Sequence, residues 1–155
     1  ADKAATLIKD ENNLTKQTPT IYVAINANKE SINTLKTMWK HIKFVNIDST
    51  FNDDQLKELS NILVKHKYAL VSVHNLSRYP GPQGYYGLSP MQIKTIKTLS
   101  TRRNTMITIM GTPYLKSHFP DAKSMIVAYE DNIYTQKAIH NITTNRFTPL
   151  GKLPI

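Results

Sequence analysis

The chain has 155 residues, with 20 Lys and Arg against 11 Asp and Glu, five His and no Cys. That length gives one domain able to bury its own core, and 40% apolar with 20% charged residues excludes disorder and fibrous repeats. The missing cysteines remove a disulfide scaffold, a thiol nucleophile and a Cys-ligated zinc site.

Residues 1–19 read as an opening helix, on Ala4-Ala5-Thr6-Leu7-Ile8, followed by a polar linker from Asp10 to Thr18. A single α/β domain is expected over 20–155. Its β-rich runs are 20–25, 42–47, 68–73, 105–110 and 124–129, several of them almost continuously apolar, as parallel strands covered on both faces are. Between them lie helical stripes: Ile32, Leu35 and Met38; Leu56, Leu59, Ile62 and Leu63; Ile93, Ile96 and Leu99. Two helix starts are explicit. Asn52 with Gln55 three residues on, and Ser89 with Pro90 and Gln92, form capping boxes, each beside a hydrophobic pair. A last helix is expected from about Asn132 to Ile142, then a polar turn and an edge strand beginning near Leu150. Strands alternating with helices predict an α/β fold: a doubly wound, mostly parallel five- to six-stranded sheet with helices on both faces, a three-layer α/β/α sandwich.

The net charge of +9 raises the question of an anionic partner. The cations are spread singly, with only Arg102-Arg103 adjacent, and no stretch interleaves aromatics with Arg, so solvated faces are expected rather than nucleic-acid binding. The longest apolar runs, such as 68–71, fall far short of the roughly 20 residues that span a bilayer.

Ligands of open α/β sheets bind at the carboxyl ends of strands, which selects the loops after each β-rich run. The loop from Asn26 to Glu30 has no glycine, and no dinucleotide, P-loop or nucleophile-elbow motif occurs anywhere. No cofactor is expected. The segment His74 to Gly87 stands out, holding three of the five Gly and two of the eight Pro. Loops of that length usually have a task. Tyr79, Tyr85 and Tyr86 suit stacking on a sugar ring or filling an interface, and Arg78 suits a carboxylate; the competing reading is a loop that only packs over the sheet end. His74 ends a strand but has no partnered Ser or Asp evident in sequence, which favours a structural role. Glu130-Asp131 is the only acidic pair at a strand's carboxyl end. It suits sugar hydroxyls or acid–base work, but the favoured reading is a helix N-terminal charge with Asp131 as the cap of the last helix. Gly111-Thr112-Pro113 predicts a tight turn into a short helix. No His pair has metal-ligand spacing, so no metal is expected. From these residues alone no nucleophile with its base can be assembled.

Several segments, taken in order, resemble the C-terminal α/β domain of family 3 glycoside hydrolases: 4–14, Thr20 to Asn26, Tyr86-Gly87-Leu88-Ser89 with Gln92, Met110-Gly111-Thr112-Pro113-Tyr114, Phe119-Pro120-Asp121-Ala122 with Val127 to Asp131 and Gln136, and Gly151-Lys152-Leu153-Pro154-Ile155. The resemblance implies a domain that follows an N-terminal (β/α)8 barrel of the same polypeptide, packed over the barrel mouth. The barrel would carry the nucleophilic Asp and most of the sugar pocket. In the β-glucosidase branch an acid/base Glu sits on the loop matching His74 to Gly87, but here that loop holds no Asp or Glu. No catalytic residue is therefore carried over. The closer likeness is to the β-N-acetylglucosaminidase branch, where that group lies on a barrel loop. His74, Arg78, Tyr79, Tyr85, Tyr86, Glu130 and Asp131 remain substrate-proximal candidates. A periplasmic or secreted parent enzyme acting on carbohydrate would fit the resemblance. The alternative expectation is an independent flavodoxin-like module that binds a small anionic ligand.

Overall fold

The computed structural model describes residues 5–144. Six strands form one sheet: β1 (Ala5–Asp10), β2 (Ile21–Ile25), β3 (Lys43–Ile47), β4 (Ala69–Val73), β5 (Thr105–Met110) and β6 (Ser124–Ala128), in the spatial order β1-β6-β5-β4-β2-β3. All neighbours are parallel except β1, which runs antiparallel to β6. Among the described residues four α-helices complete the fold: α1 (Lys29–Met38), α2 (Asp53–Val64), α3 (Pro90–Ser100) and α4 (Ile133–Thr143).

The alternation along β2 sorts the layers. Ile21, Val23 and Ile25 share one core cluster with Leu59 and Leu63 of α2 and Ile93, Ile96 and Leu99 of α3. Tyr22 and Ala24 face the other way, with Leu35 of α1, Trp39, and Ile139 and Ile142 of α4. This is the expected three-layer sandwich. Strands β2, β4, β5 and β6 are buried along their whole length, whereas β3 at the edge is mostly not. On the α1/α4 side Tyr22 stacks on Phe44, centroids 5.4 Å apart, and meets Trp39 at the same distance.

Both capping boxes form: Asn52 with Gln55 opens α2, and Ser89 with Gln92, behind Pro90, opens α3. Pro113 begins a 3-10 helix, Pro113–His118, after Gly111 at φ 119°, as the turn motif predicts. The opening segment differs from expectation. Residues 5–10 are a strand, not a helix, because the edge of β6 offers a ladder from Ala5↔Ala128 to Asp10↔Ser124. Five consecutive apolar or small residues make too short a helix to compete with that ladder. The ladder register shifts between Leu7 and Lys9, and ordinary alternation along the strand puts Leu7 against one core cluster and Ile8 against the other. The edge strand expected near Leu150 lies outside the described residues.

Counted along the chain, the five parallel strands take the order 2-1-3-4-5. The order reverses between β2 and β4. The crevice at their carboxyl ends is therefore the topological switch point, the place where this architecture builds its sites.

Candidate functional site

Asn26 and His74 follow β2 and β4 directly, and the register Ile25↔Val73 sets them side by side. The His74 amide donates to the Ile25 carbonyl at 2.9 Å. Both strands end in a left-handed asparagine, Asn26 at φ 64° and Asn75 at φ 54°, a conformation that Asn tolerates better than most residues. Asn26 Nδ2 donates to the carbonyls of His74 (3.0 Å) and Asn75 (3.3 Å), and its Oδ1 accepts from Gln92 Nε2 of α3 at 3.3 Å. Two strand ends and a helix start are thus tied by one amide.

The opposite side of the crevice is ionic. His74 Nδ1 lies 3.0 Å from Asp131 Oδ1, and Asp131 Oδ2 accepts from the Asn75 amide at 3.0 Å. Gln136 Nε2 of α4 reaches Asp131 Oδ1 at 3.4 Å and Ser31 Oγ of α1 at 3.5 Å. Burial opposes the Asp131 charge. The His74 hydrogen bond and charge, the Asn75 N–H and the Gln136 amide outweigh it and hold the carboxyl below its ordinary range. On the far ring nitrogen, His74 Nε2 meets Ser72 Oγ, which accepts from the Tyr22 hydroxyl at 2.6 Å. Burial pushes the Tyr22 phenol far up, against the pull of Ser72 and with a small push from Asp131.

The polar series runs from the Tyr22 hydroxyl to Ser72 Oγ, on to the His74 ring and on to the Asp131 carboxylate. The residues are those of a hydrolase triad, but the geometry is not. Ser72 is 1% exposed on the inner face of β4, with the Tyr22 hydroxyl on its oxygen, so no reacting carbon can approach it. The arrangement holds strand ends and helices together. Across the sheet it links α3, β2, β4, the β6–α4 loop, α4 and α1.

The candidates of the sequence separate accordingly. His74 and Asp131 come together. Asp131 does not cap α4; Asn132 does, its Oδ1 accepting from Tyr134 and Thr135 amides at 3.0 Å. The carboxylate is drawn off the helix axis by His74 and Asn75 instead. Glu130 is exposed and accepts from Asn132 Nδ2 at 2.9 Å, so the two acids of the pair serve different partners. In the long loop Arg78 and Tyr79 are exposed, Tyr79 by 74%. Tyr85 and Tyr86 pack against the core, with the Tyr85 ring edge-on to His118 at 5.3 Å. His118 Nε2 donates to the Gly84 carbonyl at 2.7 Å, which pins the loop to the 3-10 helix. Among the described residues no group of three His, Asp or Glu is placed to hold a metal ion. Sequence reasoning missed Tyr22, Asn26, Ser31, Ser72, Asn75, Gln92 and Gln136 as members of the network. Only Ser72 had a signal, since its spacing of two from His74 puts both on one strand face.

No family model and no curated protein matches this sequence. Solved structures do share its fold. A glycoside hydrolase family 3 beta-N-acetylglucosaminidase from Paenibacillus sp. str. FPU-7 matches with TM-score 0.69 and 16% identity over 99% of this chain and 30% of its own. A fungal multi-domain beta-N-acetylglucosaminidase of the same family matches with TM-score 0.75 and 15% identity over 99% of this chain and 18% of its own. The beta-glucoside phosphorylase BglX gives 0.63 and 15% over 99% of this chain and 29% of its own. The chain thus spans less than a third of the length of these proteins, and what it shares with them is the fold of one part.

Proposed function

We propose that this chain is the C-terminal, non-catalytic domain of a family 3 glycoside hydrolase. The parent enzyme hydrolyses terminal β-linked N-acetylhexosamine, or β-glucoside, residues by a retaining mechanism whose reacting groups lie on an N-terminal (β/α)8 barrel. The observation that carries the reading is the match of 99% of this fold to under a third of each enzyme. The ordered motifs of the sequence support it independently.

The site chemistry agrees. A retaining glycosidase needs two carboxyl groups about 5 Å apart across the scissile bond, one attacking and one protonating. The acids nearest the crevice are committed elsewhere, Asp131 to His74 and Glu130 to Asn132. The crevice network supplies rigidity to a sheet end that faces the rest of the enzyme.

The test is turnover of the nitrophenyl glycosides of N-acetylglucosamine and glucose, by the 155-residue chain and by the longer polypeptide that contains it. The expected result is activity in the longer polypeptide alone. Turnover by the isolated chain, or a longer polypeptide without a barrel, would overturn the proposal.

A further inference from the structure

The long loop and the 3-10 helix enclose a cleft of about 320 Å³, lined by Gly84, Tyr86, Tyr114, Lys116, Ser117 and His118. It sits beyond the carboxyl ends of β4 and β5, apart from the His74–Asp131 network. Tyr114 is 68% exposed, a large aromatic surface left in water. Tyr86 holds φ 51°, a strained conformation for a bulky residue. Two backbone hydrogen bonds enforce it: its amide donates to the Pro80 carbonyl at 3.1 Å, and its carbonyl accepts from the Ser77 amide at 2.7 Å. Strain of this kind persists only where the surrounding structure over-determines the residue.

The opposite wall is equally built. Gly84 takes the positive φ of 72° that an L side chain rarely adopts, and the His118 ring lies in ordinary contact range of it. His118 spends that nitrogen on the Gly84 carbonyl, and its ring supports Tyr85. Lys116 is the remaining functional group. Among the described residues its ammonium has neither a hydrogen bond nor an ion pair, and no carboxylate lines the cleft. The chemistry is that of two tyrosines and one unopposed cation.

We propose that this cleft binds a saccharide carrying a carboxylate, with its ring face against Tyr114 and Tyr86 and its acid group on Lys116. The choice of a sugar rests on the functional reading above; the choice of an acidic one rests on Lys116. Aromatic faces take the C–H surface of a pyranose, and a lysine on a flexible stem meets a carboxylate without demanding a fixed geometry. Arg78, the cation suggested by sequence, does not line the cleft.

The test is an amide-resolved NMR titration of the 155-residue chain at low salt with glucuronate, glucose and acetate. Glucuronate is expected to shift the amides of Gly84, Tyr114, Lys116 and Ser117 and to bind about threefold more tightly than glucose, the gain of one exposed ion pair. Acetate should leave them in place. Lys116→Met should bring glucuronate to the level of glucose, and Tyr114→Ser should weaken both. Tyr114 is exposed and Lys116 half-buried, and unchanged spectra elsewhere will show that the fold is intact. Equal binding of glucose and glucuronate, equal shifts with acetate, or no shifts at these amides would each overturn the proposal. The readout is binding by the isolated chain, so it fails or succeeds independently of turnover by the longer polypeptide.

Discussion

Asp131 accepts three hydrogen bonds, from the His74 ring, the Asn75 amide and the Gln136 side chain, and its stability contribution depends on pH through them. Its carboxyl is held below the ordinary value, so the folded state binds its proton less readily than the unfolded chain does. The stabilisation is therefore fully present above the unfolded value of about 4 and is lost as pH falls through the depressed folded one. Asp131→Asn keeps one oxygen for His74 but cannot titrate. It is expected to cost on the order of 1–3 kcal/mol near neutrality. In urea unfolding across a pH series, the gap between the two proteins should close below about pH 4. A gap that stays constant would mean that the charge is not what the network uses. Ser72 and Tyr22 belong to the same accounting, because a buried donor left without an acceptor costs more than the bond it made.

Element starts are decided by side chains two or three residues apart. Ser89 Oγ accepts from the Gln92 amide at 3.1 Å, and Gln92 Oε1 accepts from the Ser89 amide at 2.9 Å. Asn52 and Gln55 repeat the pattern at 2.9 Å in both directions. Replacing either cap by Ala is expected to cost about 1 kcal/mol, seen as a lower thermal midpoint. Gln92→Ala is expected to cost more than Ser89→Ala, since Gln92 also donates to Asn26 and so ties α3 to the end of β2. Equal losses would show that the Asn26 link carries no stability. The capping boxes were legible because their partners are neighbours in sequence. The cap of α4 was misassigned because Asp131 and Asn132 both suit that position. What separated them was His74, 57 residues away.

At the scale of the molecule, stability rests on the two apolar layers that sandwich the sheet. Ile107, on β5 near the centre of the sheet, is fully buried in the cluster beneath α2 and α3. Ile107→Ala is expected to lower the unfolding free energy by about 2–5 kcal/mol, combining lost transfer energy with the cavity left behind. Val64, 79% exposed at the end of α2, provides the control, and Val64→Ala should stay within about 0.5 kcal/mol. Chemical denaturation of both variants measures the contrast. Comparable losses would contradict the assignment of the core.

The alternation of strands and helices, their capping and the two-sided burial of the central strands followed from the sequence, because periodicity and local hydrogen bonding are properties of near neighbours. The turn at Gly111 to Pro113 did so for the same reason. The strand at 5–10 did not, since its ladder is offered by β6, more than a hundred residues on. Nor did the pairing of His74 with Asp131 or of Asn26 with Gln92: those side chains meet only after the crossovers have placed β2 beside β4 and brought α3 and α4 to one end of the sheet. Local chemistry chose the elements; the order of the strands chose which polar groups would find each other.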